Sequence, residues 1–414
     1  MTSTPPPTTD APSIPPRTAR RALLSLAIGS FGIGMTEFVV MGLLPNISAD
    51  LLPALSARDP EAAIAQCGWL ITMYALGVVV GAPTIAGSVA KYPRHRVMLA
   101  LAIALTLFNA LTFVLPTFEL VAASRFLAGL PHGAYFGIGA LVAADVLGPG
   151  NRAKGVAFVL TGLTVANVVG VPVGTFLGQQ LGWRVAFVIV AAIFAATALC
   201  IALFVPAHAG DPGRTLRAEL RAFRIGQVWF ALGVGAIGFG GFFAAYSYIA
   251  PVVTEVAGAP EAIVPVILVL MGLGMTVGNL IGGHLADVDL KRTLMVGFVV
   301  LIAVQMLLAL TAQWIVAVGV FVFAIGLVAS ALSPTIQSRL MSVAGDNQSI
   351  AAALNHSALN IGNALGAFLG GLVIARGFGF VTPIWVGVLL AAAGLALAAV
   401  SYAVEARQPA SVAV

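Results

Sequence analysis

Twelve apolar runs fix what this chain can become. They lie at 22–45, 66–90, 97–115, 118–146, 155–178, 184–205, 226–250, 263–286, 293–311, 315–340, 351–375 and 381–404, each bounded by charges or prolines. About 20 apolar residues in a helix match the hydrocarbon thickness of a bilayer. Backbone groups in lipid find no water, so such runs close their hydrogen bonds internally as helices, even with many glycines. The composition agrees: 60% of residues are hydrophobic and 8% charged, against roughly a quarter charged in soluble domains. An all-α membrane protein with 12 transmembrane helices is the expected fold class.

A net charge of +5 and a pI near 9.6 do not point to nucleic acid, because the basic residues sit singly or in short clusters between apolar runs. They carry topology instead. With the N-terminus inside, sixteen Lys and Arg fall on the inner side: Arg17, Arg20, Arg21, Lys91, Arg94, Arg96, Arg152, Lys154, Arg214, Arg217, Arg221, Arg224, Lys291, Arg292, Arg339 and Arg407. Three, Arg58, Arg184 and Arg376, fall outside, and Arg125 lies within a span. Both termini are therefore expected to be cytoplasmic. Residues 1–20 read as a disordered cytoplasmic tail rich in Pro and Thr, and the first apolar run is too long for a cleaved signal peptide. Cys67 and Cys200 stand alone in apolar runs, so neither a disulfide nor a metal site is expected. No phosphate-binding loop and no nucleophile–base cluster occurs, which excludes ATP-driven transport and disfavours an enzyme. No cofactor is implied.

The chain also repeats itself. A shift of 196 residues lays Gly87-x3-Lys91-x4-Arg96 on Gly283-x3-Asp287-x4-Arg292, and Asn167, Gly170 and Gly174 on Asn363, Gly366 and Gly370. A shift of 206 lays Gly29, Gly32, Gly34 and Pro45 on Gly235, Gly238, Gly240 and Pro251. Two pseudo-symmetric six-helix halves, 21–205 and 226–405, are expected around a basic cytoplasmic linker, 206–225, with a short tail at 406–414.

Glu37 is the most informative single residue. A carboxylate in hydrocarbon is costly, and ionisable groups there mark ion or substrate paths. Taking the first span to end at Pro45 puts Glu37 roughly 12 Å below the outer surface, and Arg125, seven residues into the fourth span, roughly 10 Å below it. His132 follows two turns after Arg125. His356, Asn360 and Asn363 form a polar stripe at i, i+4 and i+7 on the eleventh span, fit either to line a cavity or to glue helices together. Met41, Tyr74, Phe239, Phe243 and Tyr246 are candidates for an apolar binding wall. Gly233-x-Gly235-x-x-Gly238 has the spelling of a dinucleotide fingerprint but lies inside a span, where small residues serve helix packing.

The run Gly34-Met-Thr-Glu37-Phe-Val-Val-Met-Gly-Leu-Leu-Pro45 resembles the start of the bacterial twelve-span drug:proton antiporters of the major facilitator superfamily, in the arabinose-efflux and chloramphenicol-exporter branch. So do Arg125-Phe-Leu-Ala-Gly129-Leu-Pro-His-Gly133, Gly170-Val-Pro172-Val-Gly174, Gly182-Trp-Arg184 and Tyr248-Ile-Ala-Pro251. The resemblance implies the major facilitator fold, with spans 1 and 4 lining a central cavity, so that Glu37, Arg125 and His132 are expected to couple protons. Met41, Tyr74, Phe239, Phe243, Tyr246, His356, Asn360 and Asn363 are expected to contact substrate. Gly170, Pro172, Gly174, Lys91, Arg96, Asp287 and Arg292 are expected to serve as hinge and gate. Two motifs depart from the family pattern: Lys91 and Arg94 replace the usual Asp and Gly of the loop between spans 2 and 3, and Val171 separates Gly170 from Pro172. The implied activity is export of a small apolar or amphiphilic molecule in exchange for protons, by a monomer in the bacterial inner membrane. The same fold also serves sugar, nucleoside and amino-acid transport, and a membrane-embedded enzyme or sensor is the remaining alternative.

Overall fold

The computed structural model describes residues 15–89, 91–148, 152–207, 225–344 and 348–407. Arg214, Arg217, Arg221 and Arg224 of the expected linker, and most of both expected tails, lie outside them. Among the described residues, twelve helices are long and apolar enough to cross a membrane. They are α1 (Pro16–Leu51), α2 (Pro60–Ile85), α3 (Arg94–Val114), α4 (Phe118–Leu147), α5 (Lys154–Leu181), α6 (Arg184–Phe204), α7 (Gly226–Ser247), α8 (Glu261–Val288), α9 (Leu290–Thr311), α10 (Ile315–Val343), α11 (Leu354–Ala375) and α12 (Thr382–Arg407). An even number of crossings puts both chain ends on one face, here called the terminal face; the opposite one is the far face.

Helix α1 differs from the sequence expectation at both ends. It begins at Pro16, whose fixed φ suits a first helical turn, so the last residues assigned to the tail are helical. It also runs through Pro45 to Leu51. The proline ring removes the bond to the carbonyl four residues back, yet every residue from Gly32 to Leu44 is buried, and packing on all sides holds the helix through the break. Glu37 is therefore about 21 Å from the end of its helix at 1.5 Å per residue, deeper than a stop at Pro45 implies. Helix α2 starts behind Asp59, whose carboxylate accepts the Ala62 N–H at 3.0 Å.

Each half is stitched by glycine. A Cβ on Gly77 or Gly81 of α2 would lie 2.1 or 2.0 Å from the carbonyl oxygens of Phe126 and Leu130 on α4, and one on Gly129 would lie 2.2 Å from Tyr74 O. In the second half a Cβ on Gly274 or Gly278 of α8 would lie 2.1 or 1.9 Å from Phe323 O and Leu327 O of α10. With no hydrophobic force between helices in lipid, such close backbone approach is a main source of association. Gly238, from the fingerprint-like string in α7, abuts Gly394 and Phe298, which is packing and nothing more.

The halves join chiefly toward the far face. One hydrophobic cluster there draws on both halves, including Leu43, Leu44, Ile64, Leu70, Phe242, Tyr248, Leu268 and Met271. Toward the terminal face the clusters stay within a half: Leu23, Leu101, Val142 and Ile201 in the first, Val228, Ala231 and Leu340 in the second. Helix α5 meets α8 where Gly272 lies against Asn167 O. Helix α11 meets α2 and the residue just after α7 where Gly371 lies against Ala65 O and the Tyr248 hydroxyl.

Candidate functional site

Thr36 and Glu37 are neighbours on α1, so their side chains diverge by about 100° around the helix. Thr36 turns into the first half. Its hydroxyl donates to Asn109 Oδ1 of α3 at 2.6 Å and accepts from Arg125 Nη1 at 2.8 Å, while Arg125 Nη2 donates to Thr36 O at 2.7 Å. That carbonyl can serve both its helix and the arginine because it has two lone pairs. The guanidinium, wholly enclosed, lies 4.2 Å over the Tyr74 ring and 5.4 Å from the Phe187 ring. Stacking and a forked donor set are what arginine offers a buried site and lysine does not.

Glu37 turns the other way, to the second half. Its Oε1 accepts from Asn363 Nδ2 at 3.1 Å, and both residues are buried. No ion pair joins Glu37 to Arg125 among the described residues. Their similar depth allows a direct pair or a water-linked relay; no direct pair forms, and the guanidinium bonds Thr36 instead, because the Thr36 and Glu37 side chains leave α1 on different faces. The charges remain within electrostatic reach. Asn360, one turn before Asn363, donates to His356 O at 3.0 Å; the Oδ1 atoms of Asn360 and Asn363 have no protein partner.

One to two turns further toward the terminal face, the Tyr74 hydroxyl lies 3.0 Å from His132 Nδ1, and His132 Nε2 lies 3.1 Å from His356 Nε2. Phe136 packs edge-on against both imidazoles, with centroids at 5.5 and 5.2 Å. Three of the candidates for an apolar wall, Phe239, Phe243 and Tyr246, are buried in one group of packed rings, while Tyr74 lies apart against Arg125 and His132. Phe239, Phe242 and Phe243 are mutually in contact, Phe242 reaches Tyr246 at 5.4 Å, and Tyr246 reaches Phe38, the residue after Glu37, at 5.7 Å. Met41 is fully buried one turn beyond Glu37. A separate groove of 720 Å³ opens near the far face between α2, α4 and α11, lined by Gln66, Trp69, Thr72, Glu119 and Phe368 among others; none of the expected site residues borders it.

The expected hinge and gate residues are dispersed. Pro172 lacks an N–H, and just before it α5 widens into a π-turn, Ala166–Gly170, with the Val171 N–H bonding Ala166 O. Gly170 and Gly174 lie against Met35 of α1. Lys91 and Arg96 are exposed, with Lys91 beside its own neighbour Tyr92. The ion pair of this loop is made by Arg94 with Asp145 at the end of α4. In the second half Asp287 and Arg292 are both exposed, and the ordering contact comes from Asp289, which accepts the Arg292 N–H at 2.9 Å. Sequence reading missed Thr36, Asn109, Arg94 with Asp145, and Asp50, which bonds Trp183 and Arg184. An asparagine isolated in an otherwise apolar span, as Asn109 is, was the available signal.

The profile of the Major Facilitator Superfamily matches residues 26–349 and 232–413. The chain belongs to the major facilitator superfamily. Within the superfamily it is 37% identical to the inner membrane transport protein YdhP of Escherichia coli K12 over 376 residues, covering 91% of this chain and 94% of that one. It is 32% identical to the putative transporter AraJ of the same organism, over 87% of this chain and 90% of the relative. A chloramphenicol resistance protein of Streptomyces lividans is 30% identical over 91% of this chain and 95% of its own. Among solved structures, a bacterial homologue of the human lysosomal transporter Spinster, in an inward-facing, unoccupied conformation, superposes with a TM-score of 0.71 at 15% identity, covering 96% of this chain and all of the other. The chain is thus a multi-span membrane transporter of this superfamily, of the bacterial inner-membrane kind.

Proposed function

We propose that the protein exports a small apolar or amphiphilic molecule across the bacterial cytoplasmic membrane in exchange for protons, with Glu37 as the proton site. The observation that carries this reading is the position of Glu37: the buried carboxylate sits at the joint between the halves and is held by Asn363 from the opposite half. Rocking of the halves changes that contact, and with it the balance between burial, which favours the neutral acid, and nearby dipoles and charge, which favour the ionised form. A proton is then bound from one side and released to the other, while the same rearrangement exposes the cargo. One carboxylate and one carboxamide suit a proton better than sodium, which seeks several oxygens. The rings from Phe239 to Tyr246 support an apolar cargo surface, and the chloramphenicol resistance relative supports drug-type export. The sixteen-to-three excess of Lys and Arg supports a cytoplasmic terminal face. Arg125 acts here as a buried positive charge fixed on Thr36, and Pro172 with its π-turn as a flexible point of α5.

The test is proton release from purified protein on adding candidate drugs and sugars, together with pH-gradient-driven transport in proteoliposomes, comparing the parent with Glu37→Gln. Loss of proton release and coupled transport in a variant of unchanged thermal stability is expected. Normal gradient-driven export by Glu37→Gln would refute the mechanism; accumulation of a sugar when the outside is acid would reverse the direction assigned.

A further inference from the structure

The chain has five histidines, and two of them, on opposite halves, meet nitrogen to nitrogen inside the bundle. A contact of 3.1 Å between His132 Nε2 and His356 Nε2 requires one ring to donate and the other to accept. The second nitrogen of His132 is engaged as well, by the Tyr74 hydroxyl at 3.0 Å. Three groups that can each accept one proton while releasing another are therefore bonded in series, from α2 through α4 to α11. Tyr74 and His132 are buried, while His356 is partly exposed and ends the series on the terminal side. Interhelical glue needs only a donor and an acceptor, which Asn363 of α11 already supplies with Glu37; an unbroken series of amphoteric groups across the halves is what proton transfer needs.

We infer that Tyr74, His132 and His356 form a proton wire linking the level of Glu37 to the terminal face, complete only while α4 and α11 are in contact. The inference rests on the reading of Glu37 as the proton site. In the loaded arrangement Tyr74 O–H donates to His132 Nδ1, His132 Nε2–H donates to His356 Nε2, and His356 Nδ1 carries its own proton. A proton leaving Glu37 passes through a water to the Tyr74 oxygen. The original hydroxyl proton moves to His132 Nδ1, the Nε2 proton of His132 moves to His356 Nε2, and the Nδ1 proton of His356 leaves to water. One proton enters and one leaves, with every ring neutral before and after. The series then points the other way; it resets when the halves part, as each imidazole takes a proton from water at its bare nitrogen and loses the one on its other nitrogen, while the Tyr74 hydroxyl turns back.

Among the described residues, few charged or titratable groups surround the wire. Arg125 lies over the Tyr74 ring and within electrostatic reach of His132, and Glu37 lies within reach of Tyr74. Tyr135 turns its hydroxyl away to Leu26 O, and Phe136 covers both imidazoles. The link between the halves is also the weak point of the wire. Separation of α4 from α11 by about 1 Å would stretch the imidazole contact beyond hydrogen-bonding range, so the path would open in one arrangement of the halves and close in the other.

The experiment follows Glu37 without any cargo. A rapid pH jump on purified protein, read by infrared difference spectroscopy, gives the rate at which the protonated-carboxyl band absent from Glu37→Gln appears or disappears. His356→Gln and His132→Gln keep a donor and an acceptor but cannot relay. They are expected to slow that band about 100-fold, the lower end of what a positioned acid–base group contributes, with its final amplitude unchanged. Added imidazole is expected to restore the rate in His356→Ala. Parent rates in both glutamine variants, with melting temperatures intact, would overturn the wire and leave Glu37 as the proton site. Absence of any Glu37-dependent band would overturn the reading of Glu37 and the wire together.

Discussion

Gly129→Ala is a demanding test of how the site is held, because it adds one methyl group to α4 between Arg125 and His132. The new Cβ would lie 2.2 Å from Tyr74 O and 2.9 Å from Gly77 Cα and Val78 N, all backbone atoms of α2. Backbone cannot rotate away, and an ordinary carbon–oxygen contact needs more than 3 Å, so α4 must move off α2 by about 1 Å. Such a shift takes the 3.0 Å bond from Tyr74 to His132 to about 4 Å, beyond useful range, and loosens the stacking of Arg125 on Tyr74. Overpacking costs about 1–3 kcal/mol and a lost neutral hydrogen bond about 0.5–1.5 kcal/mol, against a helix-propensity gain of up to about 1 kcal/mol for Gly→Ala. With the full propensity gain set against them, net destabilisation of about 0.5–3.5 kcal/mol results. Gly137, two turns along the same helix, has open space where its Cβ would be, and Gly137→Ala keeps the propensity gain alone. Thermal unfolding of both variants in detergent, followed by intrinsic fluorescence, should show Gly129→Ala melting well below the parent and Gly137→Ala at or above it. Equal melting temperatures for the two would refute the claim that the α2–α4 backbone contact positions Tyr74 and His132.

Two further outcomes are expected. Thr36→Val keeps the shape of Thr36 but removes the hydroxyl that Asn109 and Arg125 share, leaving buried polar atoms unpaired at a cost of about 1–3 kcal/mol; Ser30→Ala, whose hydroxyl bonds only its own helix at Leu26 O, should be nearly neutral, and comparison of the two melting temperatures decides. Gly272→Ala would place a Cβ 2.3 Å from Asn167 O at the joint of α5 and α8, shifting the halves apart. Buried Cys67, in the far-face cluster that joins them, should then react with a maleimide about tenfold faster, as a change near 1.4 kcal/mol implies; an unchanged rate would show that the joint gives locally instead.

The membrane-spanning architecture was legible in the sequence because its cause is local: a run of apolar residues long enough to span hydrocarbon has no alternative to a helix, whatever its neighbours. For the same reason Glu37, Arg125, His132, His356 and Asn363 stood out individually, each being costly in such surroundings. Helix ends were less legible. Pro45 reads as a terminus, yet α1 passes through it because burial on every side outweighs one missing bond. Partners could not be read at all. Whether a side chain on α1 faces α4 or α11 depends on a rotation of about 100° per residue combined with how two halves separated by some 200 positions dock, and no short-range pattern encodes that. Only the tertiary structure shows Arg125 held by Thr36, Glu37 held by Asn363 and His132 meeting His356, because each contact forms between helices that the sequence keeps far apart.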